Sequence, residues 1–302
     1  MISLRLKVEE KDLTGKIAIV TGANTGIGLE TARMLAQMHA HVILACRNEE
    51  KGALAAADIV ETTGNKGVES WPLDLSSFAS IHAFAERFGK EHEKLDLLIN
   101  NAGLVMMEKA ITGDGIEMTL QVNHLSPLLL TNLLLPQLRR AASPRVINVS
   151  SVGHFDGVIN FGNLQYAKPG SYRALKAYSD TKLMNILFTE ELARKEPGII
   201  THALHPGFVK SDIWFREDRP WYLKLVFRVA TLAARDCVQG AMTTVHCAVS
   251  DKAGASNAKY WDSCRQVEPK AVAHDRDVAK RLWEISEELA GLTNAPEGGE
   301  RA

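Results

Sequence analysis

Tyr178 and Lys182 stand four residues apart, a spacing that puts both side chains on one face of a helix. A phenol ionises near pH ~10, and a neighbouring ammonium favours its phenolate form. Such a pair can pass a proton to the alkoxide that forms when hydride reaches a carbonyl carbon. The apolar run that begins at Arg145 ends in Ser150-Ser151. In a strand the two hydroxyls turn to opposite faces, and Ser151, at the carboxyl edge where open α/β sheets bind ligands, can hydrogen-bond a substrate oxygen. Ser150 competes for that role.

A second group of residues suits a phosphate. Thr21 to Gly28 reads Thr-Gly-Ala-Asn-Thr-Gly-Ile-Gly directly after a β-branched run, Lys16 to Thr21. Gly22, Gly26 and Gly28 permit a tight turn and close approach of backbone to a pyrophosphate, while the helix that follows offers unpaired N–H groups. A dinucleotide site usually places an acid ~20 residues further on to hold the adenosine ribose. Here the second apolar run ends Ala45-Cys46-Arg47. The missing carboxylate and the planar guanidinium of Arg47 favour a 2'-phosphate, hence NADP(H).

These residues need a scaffold, and the hydrophobic pattern describes one. Strand-like runs at 16–21, 41–46, 67–73, 95–100, 145–150 and 199–205 alternate with helical periodicity over 27–39, 48–62, 76–92, about 114–140 and 179–195. Ser76 is the expected cap of the third helix. Near-continuous apolar strands separated by amphipathic helices predict an α/β fold: a single-domain, doubly wound parallel sheet of Rossmann type with helices on both faces. The catalytic domain is read as 13–292, with a short extension at 1–12 and a disordered Gly/Glu-rich tail at 293–302.

Composition narrows the partners. With 302 residues, 46% hydrophobic and 24% charged, the chain can bury a large core. A net charge of -1 without like-charge blocks argues against nucleic acid and against a polybasic membrane anchor. Residues 1–11 hold no signal-like apolar stretch, and Leu125 to Leu138 is too short to span a bilayer, so no transmembrane segment and a cytoplasmic enzyme are expected. Cys46, Cys237, Cys247 and Cys264 lack zinc-site spacing and read as free thiols. His124, His154 and His205 form no H-x-x-x-H pair and read as packing or pocket-lining residues, so no metal is expected.

From about Leu13 to Pro269 the sequence resembles the short-chain dehydrogenase/reductase family, and within it the retinol dehydrogenase-like group. The glycine turn matches the family's T-G-x-x-x-G-x-G, Asp74-Leu75 its adenine-contacting pair, Asn100-Asn101-Ala102-Gly103 its N-N-A-G, and Pro206-Gly207 its P-G. Leu-Ala-Cys-Arg at 44–47, Val-Asn-His-Leu at 122–125, His-Pro-Gly at 205–207 and the long insert between Ser151 and Tyr178 carry the subgroup likeness.

The resemblance implies a catalytic tetrad of Asn123, Ser151, Tyr178 and Lys182. Asn123 would hold a proton-relaying water, and Lys182 would also bond the nicotinamide ribose. It implies cofactor contacts from Gly22, Asn24, Thr25, Gly26, Ile27, Gly28, Arg47, Asp74, Leu75, Asn101, Ala102, Gly103, Tyr178, Lys182, Pro206, Gly207 and Val209. Thr25 departs from the pattern, because many NADP(H)-preferring relatives carry a basic residue there. Arg47 must then supply most of the discrimination.

The motifs also bring apolar residues to one crevice. Met106, Met107, Phe155 and Phe208, with Trp214 and Trp221 from a segment near 210–230 read as a lid, would line a pocket for a lipophilic alcohol, aldehyde or ketone. The same aromatics suit permanent packing, a dimer contact or passing contact with a membrane surface. The oligomeric state is read as monomer or homodimer. Two other functions fit the motifs: a ketoreductase of secondary metabolism acting on a polyketide or aromatic ketone, and an NADP(H)-binding regulatory protein. The intact tetrad counts against the latter.

Overall fold

A computed structural model describes residues 6–209 and 234–292. The first half runs β1 (Ile17–Thr21), α1 (Gly26–Gln37), β2 (His41–Cys46), α2 (Glu49–Thr63), β3 (Val68–Pro72), α3 (Phe78–Glu91) and β4 (Leu97–Asn100). The chain continues through α4 (Met118–Leu120), a π-turn (Gln121–Leu125), α5 (Ser126–Leu138) and β5 (Arg145–Val149). After a 3-10 turn (Val152–Asp156) come α6 (Ala174–Lys195), β6 (Ile200–His205), α7 (Cys237–Val249), α8 (Asp251–Gly254), β7 (Lys259–Asp262), β8 (Arg265–Val267) and α9 (Arg276–Leu289).

The strands form one eight-stranded sheet in the order β3-β2-β1-β4-β5-β6-β7-β8. All pairs are parallel except β7 with β8. Alternation explains the continuous apolar runs. Ala18 and Val20 of β1, with Val42 and Leu44 of β2, enter one core, while Ile19 and Ile43 enter another on the opposite face. A sheet covered on both sides needs apolar residues at every strand position. The first core takes the buried stripe Ala32, Leu35 and Ala36 of α1. The second takes Ile81, Phe84 and Phe88 of α3, the spacing of one helix face.

Several expectations need correction. Six strands were legible, but β7 and β8 were not, because both are short and β8 is exposed throughout. Ser77 caps α3 by accepting from the Ser80 amide, and Ser76 instead bonds the Asp74 carboxylate. The helical region expected from 114 begins at Met118, since residues before it turn back in an Ile111–Glu117 bridge. It then widens into a π-turn that contains Asn123. The lid segment at 210–230, with Trp214 and Trp221, lies outside the described residues.

Candidate active site

Strand order reverses between β1 and β4, so the loops after these two strands part and leave a crevice at the carboxyl edge. The two loops are sewn together at its floor. Thr21 Oγ1 accepts from the amides of Asn101 and Ala102, each at 3.0 Å, and Asn101 Nδ2 donates to the Thr21 carbonyl at 2.8 Å. Thr21 is legible in the sequence as the first residue of the glycine turn, but its role in joining the two loops is not.

The glycine turn has the shape a phosphate needs. Gly22 and Gly26 adopt φ of 65° and 62°, and a side chain on Gly26 would meet nothing within 4 Å, so its face is open. Gly28 is closed instead: a Cβ there would lie 2.5 Å from the Gly22 carbonyl and from Asn101 Nδ2. The amino terminus of α1 has no side-chain cap from Thr25 and no acid in its first turn. Its N–H groups and dipole therefore suit an anion, and the residues present fit a dinucleotide. Ile27 and Val209 pack against Gly240 of α7, where any side chain would strike Val209 at 2.7 Å. Asn24 is half-buried in the turn, and Arg47 is exposed just beyond β2.

Asp74 and Leu75 follow β3. The Leu75 side chain is buried, and its carbonyl accepts from Ser126 Oγ. Gly207 takes φ of 89°, with the Arg235 side chain packed where a Cβ would stand. Phe208 binds back through its carbonyl to the Arg235 amide at 2.8 Å.

Past β4 and β5 the expected chemical group converges. Tyr178 and Lys182 share one face of α6 and are both buried. Ser151 caps the 3-10 turn and is hydrogen-bonded to the Tyr178 phenol. The two serines differ in position: Ser150 is buried, and its hydroxyl donates to the Lys182 carbonyl at 2.7 Å. Asn123 Nδ2 donates to the Leu104 carbonyl and to Thr181 Oγ1, while its Oδ1 accepts from the Leu104 amide. The π-turn lets it reach the chain after β4. Gly103 stands between the two sides: a Cβ there would be 3.3 Å from Lys182 Nζ and 3.5 Å from Asn123 Oδ1.

Electrostatics depart from the simple pairing of phenol and ammonium. Burial pushes Tyr178 up to about 12, with the Ser151 hydrogen bond acting against it. Burial also pulls Lys182 down to about 8. Its Nζ lies 5.4 Å from the centre of the Tyr178 ring and donates to the Val149 carbonyl at 2.9 Å. Loss of water therefore outweighs the cation's pull on the phenol. At neutral pH the cluster presents a protonated phenol beside a serine hydroxyl and a protonated amine. That arrangement can donate a proton to a developing alkoxide.

The three histidines singled out earlier hold this frame. His154 Nε2 accepts from the Lys270 amide, so Nδ1 carries the proton it gives to the Ser151 carbonyl at 2.7 Å. His205 Nδ1 accepts from the Val152 amide. His124 is buried and bonded to Ser286. Burial lowers the pKa of all three and keeps them neutral. Asp180, which the sequence reading passed over, fastens the insert after Ser151 to α6. It accepts from the Val158 amide and the Tyr166 hydroxyl and pairs with Lys176. An acid between Tyr178 and Lys182 was the available signal.

Phe155, after β5, and Phe208, after β6, are 51% and 42% exposed, and Val152 and Val158 are exposed as well. Met106 and Met107 are half-buried, the Met106 carbonyl accepting from the Tyr172 hydroxyl. No helix among the described residues is long and apolar enough to cross a membrane.

Comparison with known proteins agrees with this geometry. The family model for short chain dehydrogenase matches residues 16–220. Retinol dehydrogenase 11 of Homo sapiens is 43% identical over 294 residues, covering 97% of this chain and 91% of that protein. Among solved structures, an uncharacterised protein from Mycobacterium paratuberculosis aligns with a TM-score of 0.76 and 32% identity, over 95% of this chain and 98% of its own. The Pseudomonas aeruginosa RhlG/NADP active-site complex aligns with a TM-score of 0.66 and 25% identity, over 82% and 94%. With a family match across more than half its length and a relative this similar end to end, the chain belongs to the short-chain dehydrogenase/reductase family, as an oxidoreductase of the retinol dehydrogenase-like group.

Proposed function

We propose that residues 13–292 form one catalytic domain that uses NADP(H) to reduce a lipophilic aldehyde or ketone, with the reverse oxidation open to the same groups. The observation that carries this reading is the meeting of Ser151, Tyr178 and Lys182 beside Gly103 and Asn123, at the carboxyl edge where the glycine turn opens. Bound NADPH supplies the hydride. Ser151 and Tyr178 hold the carbonyl oxygen, and the Tyr178 hydroxyl gives its proton to that oxygen as negative charge builds. Lys182 orients the nicotinamide ribose. Asn123, fixed to the Leu104 backbone, holds the water that returns a proton toward Lys182. His154 and His205 position the Ser151 turn without entering the chemistry.

NADP(H) rather than NAD(H) follows from Arg47, which stands exposed after β2 where a ribose-binding acid would otherwise be. A solved neighbour binds NADP, which is consistent with the assignment. A charge-assisted contact of this kind contributes roughly 1.5 to 3 kcal/mol, or about tenfold to hundredfold in affinity. Titrating both cofactors should show NADPH preferred by that margin. Arg47→Ala should remove the preference without weakening NADH. Equal affinities in the wild type would exclude the assignment.

The lipophilic substrate class rests on the apolar side chains Met106, Met107, Phe155 and Phe208, which follow β4, β5 and β6 at the carboxyl edge of the sheet, and on likeness to a retinol dehydrogenase. Each methylene buried there contributes about 0.8 kcal/mol, so catalytic efficiency should rise by up to about fourfold per carbon along a series of straight-chain aldehydes. Steady-state kinetics with NADPH across the series is the measurement. A flat profile counts against an apolar pocket.

A further inference from the structure

The amino-terminal edge of the sheet, opposite the crevice, carries a second group of side chains that the proposed chemistry does not use. His41 opens β2, Glu69 lies in β3, and His92 is the residue at which α3 ends. Each offers one donor atom, and these atoms all lie within 4.8 Å of one another. Glu69 Oε1 approaches His41 Nε2 to 2.8 Å. That contact pairs the His41 imidazole with the Glu69 carboxylate, whereas the His92 Nε2 atom beside it is shut off from solvent and has no hydrogen-bond partner among the described residues. Buried polar atoms left in this state call for an explanation.

The surroundings fix all three groups. Trp71 Nε1 donates to Glu69 Oε2 at 2.8 Å and so leaves Oε1 turned toward the histidines. Trp71 stacks on the His92 ring with centres 5.7 Å apart at 27°, and His41 meets His92 edge-on at 5.3 Å. Two imidazoles and a carboxylate, the carboxylate oriented by a neighbouring indole, form a donor set suited to zinc. The side chains of His41 and Glu69 are 32% and 39% exposed, so the cluster lies near the surface even though the two Nε2 atoms are covered.

We propose that His41, Glu69 and His92 bind one Zn²⁺ ion, which clips the edge strand β3 to β2 and to the end of α3. Sequence spacing does not show this site, because each donor comes from a different element. Its position opposite the crevice makes it a structural clip rather than a participant in hydride transfer.

The test uses the full-length protein stripped of metal with a chelator, then titrated with Zn²⁺ in competition with a chromophoric chelator, alongside thermal unfolding with and without Zn²⁺. One ion per chain should bind with a Kd below about 10 µM. A hundredfold excess over Kd should raise the unfolding midpoint by several degrees, since the ion binds only the folded edge. His41→Gln, Glu69→Gln and His92→Gln should each weaken binding at least about tenfold. Glu69→Gln, at a partly exposed position, keeps the test decisive if a histidine variant folds poorly. Absence of Zn²⁺ binding below about 100 µM, or equal binding by the wild type and Glu69→Gln, would overturn the proposal.

Discussion

Tyr178→Phe is expected to lower turnover by roughly 10²- to 10⁴-fold, the range general acid catalysis supplies, and to leave NADPH affinity nearly unchanged. The substitution removes one hydroxyl from a buried ring and the hydrogen bond it shares with Ser151. It leaves the glycine turn, the Asn101–Thr21 stitching and Lys182 in place. With burial holding Tyr178 up at about 12, the phenol stays protonated across the working range. Reduction therefore begins with the donor already loaded. Single-turnover rates with NADPH, read beside an equilibrium cofactor titration, separate proton donation from binding. A variant that kept near-normal turnover would require a different acid.

Lys182→Met should abolish most activity and yet make the protein more stable. Losing the proposed charge-assisted contact to the ribose should weaken cofactor binding by about tenfold to hundredfold, with turnover falling as well. Stability moves the other way because the amine is buried and, among the described residues, its hydrogen bond goes to the Val149 carbonyl. Burial pulls Lys182 from 10.5 to about 8, so at neutral pH the folded state carries an ammonium that the unfolded chain solvates better. A shift of that size corresponds to about 3 kcal/mol, part of which is returned when Val149 loses its donor.

The sign follows from proton counting. Between about pH 8 and 10.5 the unfolded chain holds a proton that the folded one has released, so wild-type stability rises with pH across that window. The methionine variant should lack this rise and unfold a few degrees higher at pH 7. In the wild type, kcat/KM for the cofactor should decline above about pH 8 as the amine loses its charge. Thermal unfolding and pH profiles of both proteins check the pair of effects. A destabilised methionine variant would show that the lysine contributes to the fold.

Much of this molecule was legible from residue order because local patterns report local facts. Two-sided burial makes the strands of a parallel sheet continuously apolar, so β1 to β6 and the helices between them could be read directly. The glycine turn was legible for a similar reason: Gly22, Gly26 and Gly28 are neighbours in sequence and act as neighbours in space. So are Tyr178 and Lys182, one helical turn apart. β7 and β8 escaped because three or four residues at a sheet's edge carry too little periodicity to be noticed.

What the residue order left open was decided by contacts between distant segments. Whether Ser150 or Ser151 faces Tyr178 depended on the carbonyl of Lys182, which claims the first hydroxyl. Asn123 reaches Leu104 only because the helix widens into a π-turn. The direction of the Tyr178 shift was misjudged from spacing, since a pair four residues apart fixes proximity but not solvent, and loss of water dominates in a buried cluster. His41, Glu69 and His92 show the same limit. Periodicity reports which face of an element is buried, whereas the packing of three separate elements determines which donor atoms meet and whether water can reach them.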